Sequence, residues 1–171
     1  NSGIKIASGK YLAFIDSDDF VENNMYKKMI DIAEADNCDI VLCDIEFFWE
    51  DNPQKNYVMK GLNSNVNDIQ KRALLSPLFA WNKVYNKKYF DKYSIEFEKG
   101  VWYEDIEVTT LMLAGTKRIG YVNDALVHYR QRENSIMSTS NIRVKEIFHV
   151  LERVYKRFKD NALLEKYHSE L

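Results

Sequence analysis

Tyr11-Leu12-Ala13-Phe14-Ile15-Asp16-Ser17-Asp18-Asp19-Phe20 is an apolar run that ends in three carboxylates within four positions. Five apolar residues bounded by Gly9 and by acid read as a buried strand. The acids then emerge together at its carboxyl end, where open α/β sheets place their ligands. Three carboxylates on one turn repel one another and lose hydration. Such a cluster either faces water, as a solvated turn and helix cap, or meets a divalent cation. A metal or phosphate site is the first hypothesis this stretch raises.

Upstream, residues 1–8 read as the tail of a helix closed by Gly9. Downstream, Asp18 or Asp19 is expected to cap a helix whose Met25, Met29, Ile32 and Ala33 recur at helical spacing. Residues 38–44 follow as a second buried strand, giving a β-α-β unit with parallel pairing. A turn at Asp51-Asn52-Pro53 precedes a strand at 57–59, and a helix over 65–75 is stopped by Ser76-Pro77. Next come residues 81–85, a helical stretch at 87–93, and a helix over 103–114 with Glu104 and Asp105 in its first turn. Residues 121–122 and 126–129 are short strands. Beyond Ser140 a helix is expected with Val144, Ile147, Phe148, Leu151, Val154, Tyr155 and Phe158 on one stripe, opposite Lys145, Arg153, Lys156 and Arg157. The class is α/β.

The bulk numbers bound what this chain does. At 171 residues, 46% apolar and 13% aromatic, it buries a real core in one domain. A net charge of −2 excludes the global basic field that marks nucleic-acid binding, so no nucleic-acid partner is expected. The charge is uneven, with residues 117–171 net basic and residues 1–116 net acidic, so an anionic ligand and its cation have surfaces to bridge. Cys38 and Cys43, five apart along a strand, point to opposite faces; two buried thiols in a reducing cytoplasm is the expectation. No apolar run reaches the roughly 18 residues that cross a bilayer. The start at Asn1 lacks a signal pattern and a methionine, which suggests that the sequence begins inside a longer chain.

Other constellations could join the acidic turn. Glu104-Asp105 sits after the aromatic pair Trp102-Tyr103 at a helix start, where the dipole keeps a carboxylate ionised; it suits either an ordinary first-turn acid or a proton-accepting base. Residues 130–135 supply Arg130, Arg132, an amide and the Ser135 hydroxyl, which suit diphosphate oxygens or a solvated loop.

In this order, five pieces resemble the family 2 glycosyltransferases of the GT-A fold. They are Asn1-Ser2-Gly3 with Ala7-Ser8-Gly9-Lys10-Tyr11, then Asp16-Ser17-Asp18-Asp19 with its strand, Ala80-Trp81-Asn82-Lys83-Val84-Tyr85, Val101-Trp102-Tyr103-Glu104-Asp105, and Tyr129-Arg130-Gln131-Arg132 with Ser135. The resemblance covers residues 1–140, with residues 141–171 as an amphipathic helical segment packed on that part. It implies a partial GT-A sheet with flanking helices, lacking the N-terminal β-α-β segment that holds the nucleotide base.

The resemblance also implies roles. Asp18 and Asp16 become the metal ligands for Mn2+ or Mg2+, with Asp16 also near the donor. Arg130, Arg132 and Ser135 close over the diphosphate. Asp105 becomes the catalytic base, with Glu104 helping to orient the site, and Trp81, Asn82, Lys83 and Trp102 lie on the acceptor side. The implied activity is metal-dependent, inverting transfer from a nucleotide-diphosphate sugar, foremost a UDP-sugar, to a carbohydrate or lipid-linked acceptor, by analogy in bacterial surface-polysaccharide or glycoconjugate synthesis. The implied location is cytoplasmic, peripheral at the inner face of the membrane. A chain without the nucleotide-binding start is expected to be inactive alone, and its exposed sheet edge favours self-association. Glu98 replaces a proline common in the family after the Phe97 position, which loosens the loop before Asp105.

Two alternatives compete. Haloacid-dehalogenase-like magnesium phosphatases also set an Asp-X-Asp after an apolar strand, but their motif wants Thr or Val where Phe20 stands. A noncatalytic interaction module would use the basic helix after Ser140 to dock on a partner or an anionic membrane.

Overall fold

The computed structural model describes residues 1–63, 66–132 and 142–170. In chain order the elements are α1 (Ser2–Ile6), β1 (Tyr11–Ala13), β2 (Phe20–Val21), α2 (Met25–Ala35), β3 (Ile40–Phe48), β4 (Tyr57–Met59) and α3 (Ile69–Leu74). There follow β5 (Lys83–Asn86), α4 (Lys88–Lys92), α5 (Glu104–Gly115), β6 (Ile119–Arg130), α6 (Glu146–Asp160) and α7 (Leu164–Tyr167).

β3 is the spine of the sheet. β6 runs parallel along its whole length, from Ile40 opposite Ile119 to Phe48 opposite Arg130, with a register shift at residues 43–45. The other side of β3 is divided: β5 pairs antiparallel with residues 40–42 and β4 with residues 45–47. β1 lies outside β5 and β2 outside β6, which gives the order β1-β5-β3-β6-β2. Alternate residues of β3 feed two apolar layers. Ile40 and Leu42 pack with α3, α5, α6 and α7, whereas Val41, Cys43, Ile45 and Phe47 pack with Met25, Met29 and Ala33 of α2. Helices therefore cover both faces of a mixed sheet.

Several expectations need correction. β1 and β3 run in the same direction, but they do not pair, because β5 returns from later in the chain and inserts between them. The strand expected at 11–15 stops at Ala13 and buries only Leu12, since β5 is its one neighbour among the described residues. Neither Asp18 nor Asp19 caps α2; the chain first pairs β2 with β6, and the helix starts after Asn24. Cys38 and Cys43 share one apolar layer instead of opposite faces, because Cys38 precedes β3 and strand alternation does not reach it. Both thiols are free and buried, and burial pushes Cys43 up to about 12. The two short strands near 121 and 126 are one strand, β6, whose residues 123, 124 and 126 are taken up by the register shifts.

The rotation of α6 also differs. Val150, Val154 and Phe158 are its buried line, while Val144, Phe148, Leu151 and Tyr155 are exposed, Phe148 by 67%. A buried carboxylate sets this rotation. Glu107 of α5 is 7% exposed and requires a cationic partner, and Arg153 turns inward to donate to it at 2.6 and 3.2 Å. Arg153 also pairs with Glu98, and Arg157 donates to the Tyr93 carbonyl at 2.5 Å. Phe158 is fully buried beside Tyr167 of α7, ring centroids 6.4 Å apart.

Phe158→Ala is therefore expected to destabilise the whole domain by about 3–5 kcal/mol, read by urea unfolding. An unchanged transition midpoint would mean that α6 is an appendage and not part of the core.

Candidate functional site

The carboxyl ends of the parallel strands β1, β3 and β6, the amino end of antiparallel β5 and the start of α5 meet at one edge of the sheet. Between them lies a cavity of about 830 Å³. Asp16 enters it from the turn after β1, Phe47 from β3, Tyr129 and Gln131 from the end of β6, and Glu104 and Asp105 from α5. Residues 76–81, ahead of β5, supply Ser76, Leu78, Phe79, Ala80 and Trp81.

The wall is aromatic. Phe79 stacks on Trp81 at 4.7 Å, and Trp81 lies 5.1 Å from Tyr129, which meets Phe47 edge-on at 5.1 Å. Across the cavity Phe14 packs edge-on against Phe97 at 5.1 Å. The Phe97 loop is pinned by Asn1, whose side chain donates to the Phe97 carbonyl and accepts from its amide, both at 2.8 Å.

Backbone geometry aims the acids. Tyr103 adopts φ 66°, a left-handed conformation that costs a non-glycine residue about 1–3 kcal/mol, and it turns the chain sharply into α5. Glu104 and Asp105 then stand in the first helical turn. Burial, reinforced by the neighbouring Glu104 charge, pushes Asp105 up to about 6, against the Lys83 ammonium and the Ala80 amide, which favour its ionised form. Burial raises Asp16 as well, with Asp18 and Glu104 adding to it.

The acidic turn is tied to the end of β6. The Arg130 amide donates to Asp19 at 2.9 Å and its guanidinium donates to the Asp18 carbonyl at 3.0 Å, while Arg132 lies 3.8 Å from the Asp18 carboxylate. Burial pushes Asp19 up to about 6, and its second oxygen is buried without a hydrogen-bond partner.

The residues singled out in the sequence divide as follows. Asp16, Glu104, Asp105 and Trp81 line the cavity. Asp18, Arg130 and Arg132 are not among the lining residues; they meet one another at the acidic turn. Asn82 and Lys83 are fully buried behind the wall. Trp102 is not among the lining residues; its amide donates to Glu146 at 2.6 Å and its ring lies under Arg143 at 4.9 Å. Ser135 lies outside the described residues. Phe79, Tyr129 and Phe97 were given no site role, because an isolated aromatic residue in sequence carries no sign of which side of a wall it occupies.

Among the described residues, no group of three or more His, Cys, Asp or Glu converges on a metal position. Asp16 and Asp18 fit a different arrangement. Two hard carboxylates that repel each other, beside an unpartnered oxygen of Asp19, match the one or two protein ligands that Mg2+ or Mn2+ takes when phosphate and water oxygens complete the shell.

The fold is an α/β domain with a cavity at the strand ends. The Glycosyl transferase family 2 pattern matches residues 1–94, and the chain belongs to that family. It is 26% identical over 147 residues to the uncharacterized glycosyltransferase EpsJ of Bacillus subtilis (strain 168), covering 80% of this chain and 42% of the relative. To the putative glycosyltransferase EpsH of the same organism it is 26% identical over 190 residues, covering 100% of this chain and 52% of the relative. The chain thus spans about half the length of these curated relatives. The solved structure of S. aureus TarS in complex with UDP-GlcNAc superposes with a TM-score of 0.74 at 19% identity, over 92% of this chain and 45% of that one. The expected GT-A-like sheet with flanking helices holds. Family membership leaves the phosphatase alternative without support.

Replacing Glu104 with Gln removes a like charge beside Asp105, so the Asp105 carboxyl is expected to titrate below its value of about 6. Carboxyl carbon NMR titration checks this. An unmoved midpoint would place the two acids too far apart to act as one unit.

Proposed function

We propose that the protein is a metal-dependent, inverting glycosyltransferase that moves a sugar from a nucleotide-diphosphate donor to an acceptor hydroxyl. The observation that carries this reading is the meeting of Asp16 with Glu104 and Asp105, nearly ninety residues away, in one aromatic-walled cavity. Family membership and the nucleotide-sugar ligand of TarS support it, and they favour a UDP-sugar donor.

In this reading Asp105 accepts the proton of the acceptor hydroxyl as it attacks. A carboxyl held at about 6 is ionised at neutral pH, yet more basic than an exposed aspartate, which suits a general base. Glu104 supports that basicity by its charge, and Trp81 with Tyr129 offers apolar ring surface to a sugar face. Asp16 and Asp18 hold Mn2+ or Mg2+, which when bound supplies charge neutralisation for the departing diphosphate. Arg130 and Arg132 face the same diphosphate, and the resemblance assigns Ser135 to it. Attack from the side opposite that group inverts the anomeric configuration. Residues 1–140 form the catalytic part and residues 141–171 the helical segment upon it. By analogy with the relatives, the acceptor is a carbohydrate or lipid-linked glycan of the bacterial surface.

Asp105→Asn is expected to lower transfer by about 100- to 10,000-fold with donor binding retained, whereas Asp18→Ala weakens metal-dependent donor binding by about 100-fold. Transfer assays and calorimetry on the full-length parent enzyme with manganese read both effects. Comparable turnover by Asp105→Asn would sink the base assignment.

A peripheral place at the inner membrane face is also supported by one feature. No helix among the described residues is long and apolar enough to cross a bilayer. The exposed Val144, Phe148, Leu151 and Tyr155 of α6 and the turn before it adjoin exposed Lys145, Lys156 and Lys159, and this stripe suits an anionic lipid surface. The protein is expected to pellet with anionic vesicles at low salt, and Phe148→Glu to stay in the supernatant. No pelleting by the unaltered chain removes this location.

A further inference from the structure

We propose that Lys83 is a positioning residue of the transfer site, whose buried ammonium clamps residues 77–81 and so fixes the cavity wall that holds Asp105. This rests on the reading of Asp105 as the base. The resemblance placed Lys83 on the acceptor side, but the structure leaves it no access to an acceptor. Lys83 is 0% exposed, and its ammonium donates to the Pro77 carbonyl at 2.9 Å, the Phe79 carbonyl at 2.6 Å and the Asn82 side-chain oxygen at 2.7 Å. An ammonium has three N–H groups, and all three are used.

The consequence lies in what those acceptors carry. Pro77 and Phe79 belong to the stretch that presents Leu78, Phe79, Ala80 and Trp81 to the cavity. The Ala80 carbonyl accepts from the Tyr85 hydroxyl at 3.2 Å, and the Ala80 amide favours the ionised form of the Asp105 carboxyl. The Asn82 side chain is itself anchored, donating to the Cys43 carbonyl of β3 at 2.9 Å. Lys83 thus joins the sheet spine to the wall beside the base. Leaving a charge in the interior is costly unless it is fully bonded, and a leucine there would pack without that cost. What a leucine cannot supply is three fixed carbonyl contacts and a positive charge facing Asp105.

Electrostatics agrees with the geometry. The charged groups that act on Asp105 are Glu104 of α5 and Lys83 of β5, and Tyr85 of β5 also lies within its field, while Glu104 acts on Asp16 as well. Those that act on Lys83 are Asp105 and the Cys43 thiol of β3. Burial brings the ammonium down to about 7 and Asp105 pushes it back up, while the ammonium opposes the burial that raises Asp105. Each partner favours the charged form of the other.

Lys83→Met should raise Asp105 by about one pH unit and move the acid limb of kcat/KM to higher pH by the same amount. Lys83→Arg keeps the cation and should leave that limb in place, and thermal unfolding reports whether each variant folds. Should Lys83→Met not fold, labelled Lys83 side-chain NMR gives a second test. In Asp105→Asn the ammonium loses its counter-charge, so its titration should move to lower pH. An Asp105 midpoint unmoved in folded Lys83→Met, or a Lys83 midpoint unmoved in Asp105→Asn, overturns the proposal. Normal transfer by Asp105→Asn overturns the base reading instead, and the NMR midpoints separate that failure from failure of the Lys83–Asp105 coupling.

Discussion

Backbone hydrogen bonding of β3 is the constraint from which the rest of the molecule follows. Residues 40–45 of this strand are all buried, so water cannot satisfy their N–H and C=O groups. β6 satisfies one side along nine residues, but β5 and β4 together leave a gap on the other side at Cys43. Asn82 closes it: the Cys43 amide donates to the Asn82 carbonyl at 3.1 Å, and the Asn82 side chain donates to the Cys43 carbonyl at 2.9 Å. The close approach of Gly61 belongs to the same place, since a Cβ there would lie 2.0 Å from the Cys43 carbonyl oxygen. An asparagine imitating a strand is thus what lets β5 begin where it does, with Trp81 on the cavity wall and Lys83 behind it.

Two buried acids secure that spine at its start and in its middle. Asp39 accepts from the amides of Lys117 and Arg118 at 3.1 and 3.2 Å and from Lys88 at 3.1 Å, which locks the start of β3 to the entry of β6. Asp44 accepts from the Gly61 amide and from Lys60, both at 2.8 Å, and from the Tyr121 hydroxyl. These carboxylates are satisfied by fixed donors and leave nothing for a ligand. The acids of the cavity are the opposite case: Asp16 and Asp105 are raised by burial and by acidic neighbours. That contrast separates acids that hold the fold from acids that are free to act.

Much of this was legible in the chain. The apolar run before Asp16 and the acid-led start of α5 have local causes, in periodicity and capping preference, and so could be read locally. The ordered pieces around Asp16 and Trp81 fall within residues 1–94, which match the family. The pairing of β1 with β5 was not legible, because hydrophobic alternation records which face a strand buries and not which strand lies beside it. The rotation of α6 escaped for a related reason. Its sequence offers two apolar lines, and the choice fell to the buried Glu107, forty-six residues from the Arg153 that answers it.

By itself, then, the sequence determined the α/β class, the family and the chemical character of the acids at Asp16, Asp18, Glu104 and Asp105, since each depends on residue types at short spacing. Tertiary structure alone decided that Asp16 and Asp105 share a cavity, that Lys83 faces inward and that Trp102 stands apart. The physical reason is that burial and charge pairing act between residues brought together by the sheet, and their strength depends on a distance in space that sequence separation does not encode.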